Sequence, residues 1–298
     1  MYEAHYGFRE LPFGLTPDTS YVYPCASFQE ALNTLLVAAY NGEGFIKIVG
    51  EVGHGKTMLC RTFMASLQEP QEALQKRKGD GISFGPSFVT AYIPNPYLDP
   101  RGLMLALAEE FGVDIDRGAD LHSLLKAVTS ALMKIANSGK QAVACLDEVQ
   151  AMPQHTLEAV RLLTNLETEK RKLLQVVLFG QPELEQKLRQ RSARQLLQRI
   201  TFQYTLTGLR RNEVAGYLEH RLKVAGYEGA TLFLPSAVKL LHEYSHGTPR
   251  LVNILAHKAL MLGFGEGVGQ IAARHVKAAA ADTPAAHIPK GLFGWAIR

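Results

Sequence analysis

The chain has 298 residues, 47% hydrophobic and 20% charged, with a formal net charge of +4. This composition supports a substantial core, excludes wholesale disorder and leaves room for two domains of ordinary size. The mild basic balance, with a pI near 8.9, is compatible with an acidic partner without requiring one.

The N-terminal MYEAHYGFRELPF carries acidic residues and no apolar core, so it does not read as a signal peptide. An extended arm rich in Pro, Tyr and Phe runs to about residue 24. A helix is predicted over 27–41, with Ser27 as cap and Glu30 three residues on, which is the pattern of a capping box. The apolar strand GFIKIVG at 44–50 follows, then a glycine-rich loop, then the helix KTMLCRTFMASL. Residues 70–86 read as an exposed excursion. A strand at 87–93 precedes helices near 100–111 and 119–138, and the strand QAVACLDEV at 141–149 precedes a helix at 153–168. A strand at 173–180, a basic helix at 183–197 and a short strand at 200–206 complete the alternation. Strands alternating with helices imply a three-layer α/β domain with a parallel sheet.

After Leu206 the pattern becomes helical. Three helices, broken at 226–229 and 247–249, are followed by a fourth, QIAARHVKAAAA. The expected organisation is an α/β domain over 1–206 with its N-terminal arm, a small all-helical lid over 207–283, and a loose tail over 284–298. No apolar run reaches the ~18 residues a spanning helix needs, so no integral membrane segment is expected. Cys25, Cys60 and Cys145 lack metal-ligand spacing and the ten histidines are dispersed, which favours buried free thiols over a disulfide framework or a structural metal.

Residues 50–57 read GEVGHGKT, a full match to G-x-x-x-x-G-K-T set between an apolar strand and a helix. Glycines let the backbone curl round phosphate with its N–H groups inward, and the helix start adds donors and a favourable dipole. On this reading Gly50, Glu51, Val52, Gly53, His54, Gly55, Lys56, Thr57 and Met58 form the nucleotide cradle. Lys56 would neutralise charge between the β and γ phosphates, and the Thr57 hydroxyl would meet Mg²⁺. In ACLDEVQ an apolar strand ends in Asp147 and Glu148. Two adjacent carboxylates there are costly unless a cation or substrate uses them. Asp147 fits a direct or water-mediated Mg²⁺ contact and Glu148 would polarise the attacking water; a helix cap would explain Asp147 but not the pair. The expected activity is ATP hydrolysis.

Gln181, at the tip of the next strand in FGQPEL, is placed to reach the γ-phosphate or the lytic water; the bland alternative is a turn organised by Pro182. The stretch 187–199 carries Lys187, Arg189, Arg191, Arg194 and Arg199 with no acidic residue. It is either a solvated basic face or a subunit contact that sets an arginine against a neighbour's nucleotide, with Arg199 the first choice and Arg194 the second. Arg250 follows a Gly-Thr-Pro turn at a helix start, where the dipole disfavours a cation unless its guanidinium points at phosphate across a cleft.

Taken together, YGFRELPFGLTPDTSYVYP, GFIKIVGEVGHGKT, ACLDEVQ, LEAVRLLTNLET, VVLFGQPEL, LLQRI and GTPRLVNIL resemble AAA+ ATPases. Within these the chain is most similar to the general secretion pathway protein A family and its relatives in MSHA-type pilus biogenesis. The resemblance spans roughly residues 6–285. It implies a P-loop AAA+ core, ATP and Mg²⁺ as cofactors, and an oligomeric cytoplasmic ATPase that assists assembly of a secretion or pilus machine. The implied partner is a protein of the inner-membrane platform. It also implies Lys56 and Thr57 on nucleotide and Mg²⁺, Asp147 and Glu148 as the acidic pair, and Gln181 and Arg250 as the two sensors. The arm around Pro12, Phe13 and Tyr21 through Tyr23 and Pro24 is implied to pack near the adenine. His54 departs from the Thr or Ser common in such loops, and the chain stops before the membrane helix and wall-binding region typical of the secretion relative. The GLFGWAIR segment reads as a docking peptide, a weak interfacial anchor or a frayed terminus.

Two other readings use the same core. A DNA-handling ATPase of the transposition or initiator type would employ 187–199 and KRK at 76–78 as phosphate contacts. No helix-turn-helix or winged module is recognisable and the basic stretches lack interleaved aromatics, so nucleic acid is not the expected partner. A nucleotide-gated scaffold with little turnover would keep Lys56 but have no need of Glu148.

Overall fold

Among the described residues five strands build one parallel sheet: β1 (Phe45–Gly50), β2 (Ser87–Ile93), β3 (Lys140–Leu146), β4 (Leu174–Gly180) and β5 (Ile200–Leu206), in the order β2-β3-β4-β1-β5. The computed structural model describes residues 2–69, 86–95, 97–163, 165–167, 171–191 and 193–289. The strands β1 and β4 are buried at every position and β3 at all but its first, so both faces of the sheet are covered, as a parallel sheet requires. The edge strand β5 instead alternates between half-buried and exposed residues up to the buried Leu206.

The helices are α1 (Glu3–Tyr6), α2 (Ala26–Tyr40), α3 (Lys56–Gln68), α4 (Pro100–Glu110), α5 (Leu121–Asn137), α6 (Gln154–Leu163), α7 (Glu183–Arg189) and α8 (Arg194–Leu197), followed by α9 (Glu213–Val224), α10 (Pro235–Ser245), α11 (Pro249–Gly265) and α12 (Ala273–Ala281). Two of them start on aspartate caps. Asp99 accepts from the Gly102 N–H at 2.6 Å with Pro100 following, and Asp120 accepts from Ser123 at 2.7 Å. Among the described residues no helix is long and apolar enough to cross a membrane.

The chain divides into two compact units, one of Gln29–Val52 and Lys56–Leu206, the other of Met1–Phe28, Gly53–Gly55 and Thr207–Arg298. The α/β unit packs Leu103, Leu107, Leu124, Val128 and Leu132 of α4 and α5 with Ala142, Ala144 and Val176 of the sheet. Lys47 sits in mid-strand at 2% exposure, made tolerable by an ion pair with Glu185 of α7. An unpartnered ammonium there would cost several kcal/mol.

The N-terminal arm was expected with the α/β domain, but its aromatic residues belong to the helical unit. Tyr2, Tyr6, Phe8 and Phe13 are buried in one core with α9–α12. Arg221 of α9, 6% exposed, donates to the Pro12 carbonyl at 2.7 Å and places its guanidinium 4.5 Å from the centre of the Tyr21 ring. The described part of the tail is also docked: Ala286 and Ile288 pack on this core and the His287 N–H donates to the Tyr244 carbonyl at 2.9 Å. GLFGWAIR, and residues 70–85 of the predicted excursion with its KRK, lie outside the described residues.

Other boundaries moved for local reasons. Ser27 is not a cap, because α2 begins at Ala26, whose N–H is taken by the Glu213 carboxylate at 3.0 Å. Ser27 instead accepts from the Thr207 N–H and Glu30 accepts from the Tyr204 hydroxyl. The basic helix predicted over 183–197 is two short helices, since Gln190 turns extended. The helix predicted to reach 168 ends at Leu163, and the chain turns back through an antiparallel Glu167–Lys172 bridge.

Gly247 has φ +73° and a Cβ there would lie 2.1 Å from the Leu209 carbonyl oxygen, whereas Gly265 closes α11 in open space. Gly247→Ala is expected to lower helical-unit stability by more than about 2 kcal/mol. Gly265→Ala is expected to raise it by up to about 1 kcal/mol. Thermal unfolding followed by circular dichroism checks the contrast in sign.

Candidate nucleotide-binding site

The sheet register sets the candidate residues along one edge. Val49 lies opposite Gly180 on β4, and Leu146 of β3 opposite Leu178, so Gly50, Gln181 and Asp147 all emerge at the carboxyl ends of neighbouring strands. Open parallel sheets bind ligands at that edge. The Asp147 N–H continues the ladder to the Ile93 carbonyl at 2.9 Å, which fixes where β3 stops.

From Gly50 the chain turns through Gly53 (φ +84°) and Gly55 (φ +94°) into α3 at Lys56. Both angles favour glycine, and at Gly53 a Cβ would also lie 2.7 Å from the Arg250 Cβ. Lys56 is buried, and its Nζ donates to the carbonyls of Gly50 (2.8 Å) and Glu51 (3.1 Å), so the ammonium lies inside the curve of the loop. Val52 and Glu51 are exposed, while His54, Thr57 and Met58 are half-buried.

The Thr57 hydroxyl donates to Asp147 Oδ2 at 2.7 Å, which joins the loop helix to the end of β3. Asp147 is 1% exposed. Burial pushes its carboxyl above the usual range, opposed by the Thr57 hydroxyl and the Glu148 N–H that bond to it. Burial likewise pulls Lys56 down, with Glu148 and Asp147 working against the shift. Phosphate beside Lys56 and a cation beside Asp147 would offset the two penalties. The hydroxyl and carboxylate oxygens are hard donors of the kind Mg²⁺ takes, so the residues fit the ion.

Glu148 adopts a left-handed backbone (φ 55°, ψ 36°), one of two non-glycine residues with positive φ among those described. Such a conformation costs about 1 kcal/mol and marks functional positions often enough to be informative. Its Oε2 accepts from the side-chain amides of Gln181, at 3.0 Å, and Gln150. Gln150 Oε1 in turn accepts from the Gln181 N–H at 3.0 Å. Gln150 went unsingled in the sequence, because one glutamine after an acidic pair carries no spacing signal. Lys187, expected on a basic face, instead donates to the carbonyls of Gln150 (2.9 Å) and Met152. The Tyr92 hydroxyl lies 3.4 Å from Asp147 Oδ2, and Cys60 and Cys145 are buried free thiols.

The arginines expected in trans do not join this group within one chain. Arg199 precedes β5, whose Ile200 pairs with Phe45 at the start of β1, about 17 Å of strand away from Gly50. Its Nη1 donates to the Arg161 carbonyl in the last turn of α6 at 3.3 Å, and Arg194 is exposed on α8. In the helical unit, the Arg250 N–H donates to the Gly53 carbonyl at 3.3 Å, which sets the start of α11 against the loop tip. Tyr23 packs on α9, its ring 5.9 Å from Tyr217 and 5.8 Å from His220, and Pro24 after it is exposed.

Comparison with known proteins agrees with this architecture. General secretion pathway protein A of Aeromonas hydrophila is 40% identical over 271 residues, 91% of this chain, and this chain spans 46% of that protein's length. Among solved structures, the Aeropyrum pernix ORC2 protein in ADPNP-ADP complexes superposes with a TM-score of 0.65 at 17% identity, covering 93% of this chain and 72% of that one. Drosophila ORC bound to DNA gives 0.67 at 16% identity over 92% and 64% of the two chains. The Thermotoga maritima RuvB Holliday junction branch migration motor gives 0.54 at 15% over 86% and 68%. These likenesses share the fold, a P-loop α/β core followed by helices. The family described as an AAA domain matches residues 39–188, half of the chain, and the match includes the loop, the acidic pair and Gln181. The chain belongs to the AAA domain family.

Proposed function

We propose that the chain is a Mg²⁺-dependent ATPase that assists assembly of an MSHA-type pilus or a related type II secretion machine. The observation that carries the chemistry is the Thr57–Asp147 hydrogen bond, which sets a hydroxyl and a buried carboxylate beside the loop lysine, with Glu148 next along the chain. The likeness to General secretion pathway protein A supports the setting.

Water attacks the γ-phosphorus in line. A P–O bond forms to water as the bond to the bridging oxygen breaks, ADP leaves with that electron pair, and Glu148 takes the proton from the water. Thr57, and Asp147 directly or through water, would hold Mg²⁺, which would supply neutralising charge to the phosphates when bound. The loop N–H groups from Gly50 to Met58 orient the phosphates, and Lys56 offsets charge on the departing diphosphate. Gln181 stands beside Glu148 and would hold the lytic water, Arg250 would act as the second sensor, and Tyr23 with Pro24 would flank the adenine. Arg199, or Arg194, would complete the site of a neighbouring copy in a homo-oligomer. The protein would work in the cytoplasm, at the inner membrane through a platform protein, without nucleic acid.

Lys56→Ala is expected to abolish ATP binding measured with a fluorescent nucleotide, while Glu148→Gln keeps binding and loses at least about 100-fold in kcat. Retained turnover in Glu148→Gln would remove it from the mechanism.

Turnover per chain is expected to rise with protein concentration, to return when Glu148→Gln is mixed with Arg199→Ala, and to ignore duplex DNA. No recovery on mixing leaves Arg199 as the residue that holds the end of α6. Stimulation by DNA would favour the DNA-handling reading that the shared fold also permits.

A further inference from the structure

Glu148 presents a geometric problem that its own backbone does not solve. The left-handed conformation fixes where the side chain leaves the main chain, but the terminal torsion of a glutamate is broad and leaves the carboxylate free to turn. Two amide donors, from Gln150 and Gln181, converge on one oxygen, Oε2, and so define that torsion. We propose that Gln150 is the positioning residue of this site, orienting the Glu148 carboxylate and locking it to Gln181. The proposal rests on the ATPase reading and adds to it a residue that touches neither nucleotide nor metal.

The orientation of the Gln150 amide follows from its partners. With Nε2 toward the Glu148 carboxylate, Oε1 meets the Gln181 N–H at 3.0 Å. The flipped amide would set oxygen against carboxylate and N–H against N–H, losing both bonds. Its backbone is fastened as well. Gln150 lies in the short turn Val149–Ala151, and its carbonyl and that of Met152 are both held by Lys187 Nζ of α7. One side chain thereby ties the end of β3 to the end of β4, with α7 clamping the turn from which it projects.

The arrangement makes glutamine, rather than any residue of similar size, the requirement. Methionine would fill the space and supply neither bond. Glutamate would keep an acceptor for the Gln181 N–H yet turn a second carboxylate on Glu148.

The test compares wild type, Gln150→Met and Gln150→Glu in steady-state ATP hydrolysis, thermal unfolding and hydrogen exchange at the Gln181 amide. Gln150→Met is expected to lose roughly 10- to 100-fold in kcat with KM for ATP within about twofold of wild type. Gln150→Glu is expected to lose more, although it keeps the Gln181 N–H bonded. Exchange at that amide quickens in Gln150→Met and stays near wild type in Gln150→Glu. A purely structural role would give the reverse ranking of activities, with Gln150→Glu close to wild type, and would overturn the proposal. So would unchanged kcat in Gln150→Met or unchanged exchange at Gln181. Should Gln150→Met fail to fold, Lys187→Met loosens the same turn without touching the amide, and an unchanged kcat there counts against the proposal. If wild type itself does not turn over ATP, the ATPase reading falls, and exchange at Gln181 still decides whether Gln150 holds that amide.

Discussion

A carboxylate almost wholly withdrawn from water, at the end of a strand buried on both faces, is the constraint on which the rest of the site depends. Asp147 cannot be exposed without fraying β3, and it cannot be left alone without a desolvation cost of several kcal/mol. The Thr57 hydroxyl and the Glu148 N–H answer part of that cost. Satisfying the first ties α3 to β3, and satisfying the second bends the chain at Glu148 into a conformation that an L-residue seldom takes. The loop geometry, the helix start and the left-handed turn are thus linked through a single acidic group.

Charge is managed by the same device elsewhere in the α/β unit. Lys47 in the middle of β1 and Lys187 at the far end of α7 are both drawn inward, one by a carboxylate and the other by main-chain carbonyls. Each is a cation that sequence inspection assigns to a surface or overlooks within an apolar run. In the helical unit Arg221 plays the matching part, and its bonds to the arm explain why residues preceding Phe28 belong with α9–α12.

The parts legible in the sequence were those with local causes. Strand limits at 87–93 and 200–206, the loop, and the acidic pair follow from apolar runs, glycine placement and neighbouring charges. What escaped depended on partners far along the chain. The start of α2 is decided by Glu213, nearly 190 residues away, which displaces Ser27 from the expected cap. The arm's allegiance is decided by aromatic burial against helices at the other end of the chain. Gln150 acts through one hydrogen bond each way and Lys187 through two that it donates, and neither leaves a periodic or compositional trace.

The left-handed backbone at Glu148 has an evolutionary consequence. Glycine would occupy that conformation more comfortably by about 1 kcal/mol, and asparagine would also tolerate it. A lineage selected for thermal robustness alone would therefore drift away from glutamate at this position, trading the carboxylate for a relaxed turn. On the role proposed for Glu148, the strain is worth retaining only while the side chain is in use, and position 148 would then distinguish working copies of this fold from inert scaffolds.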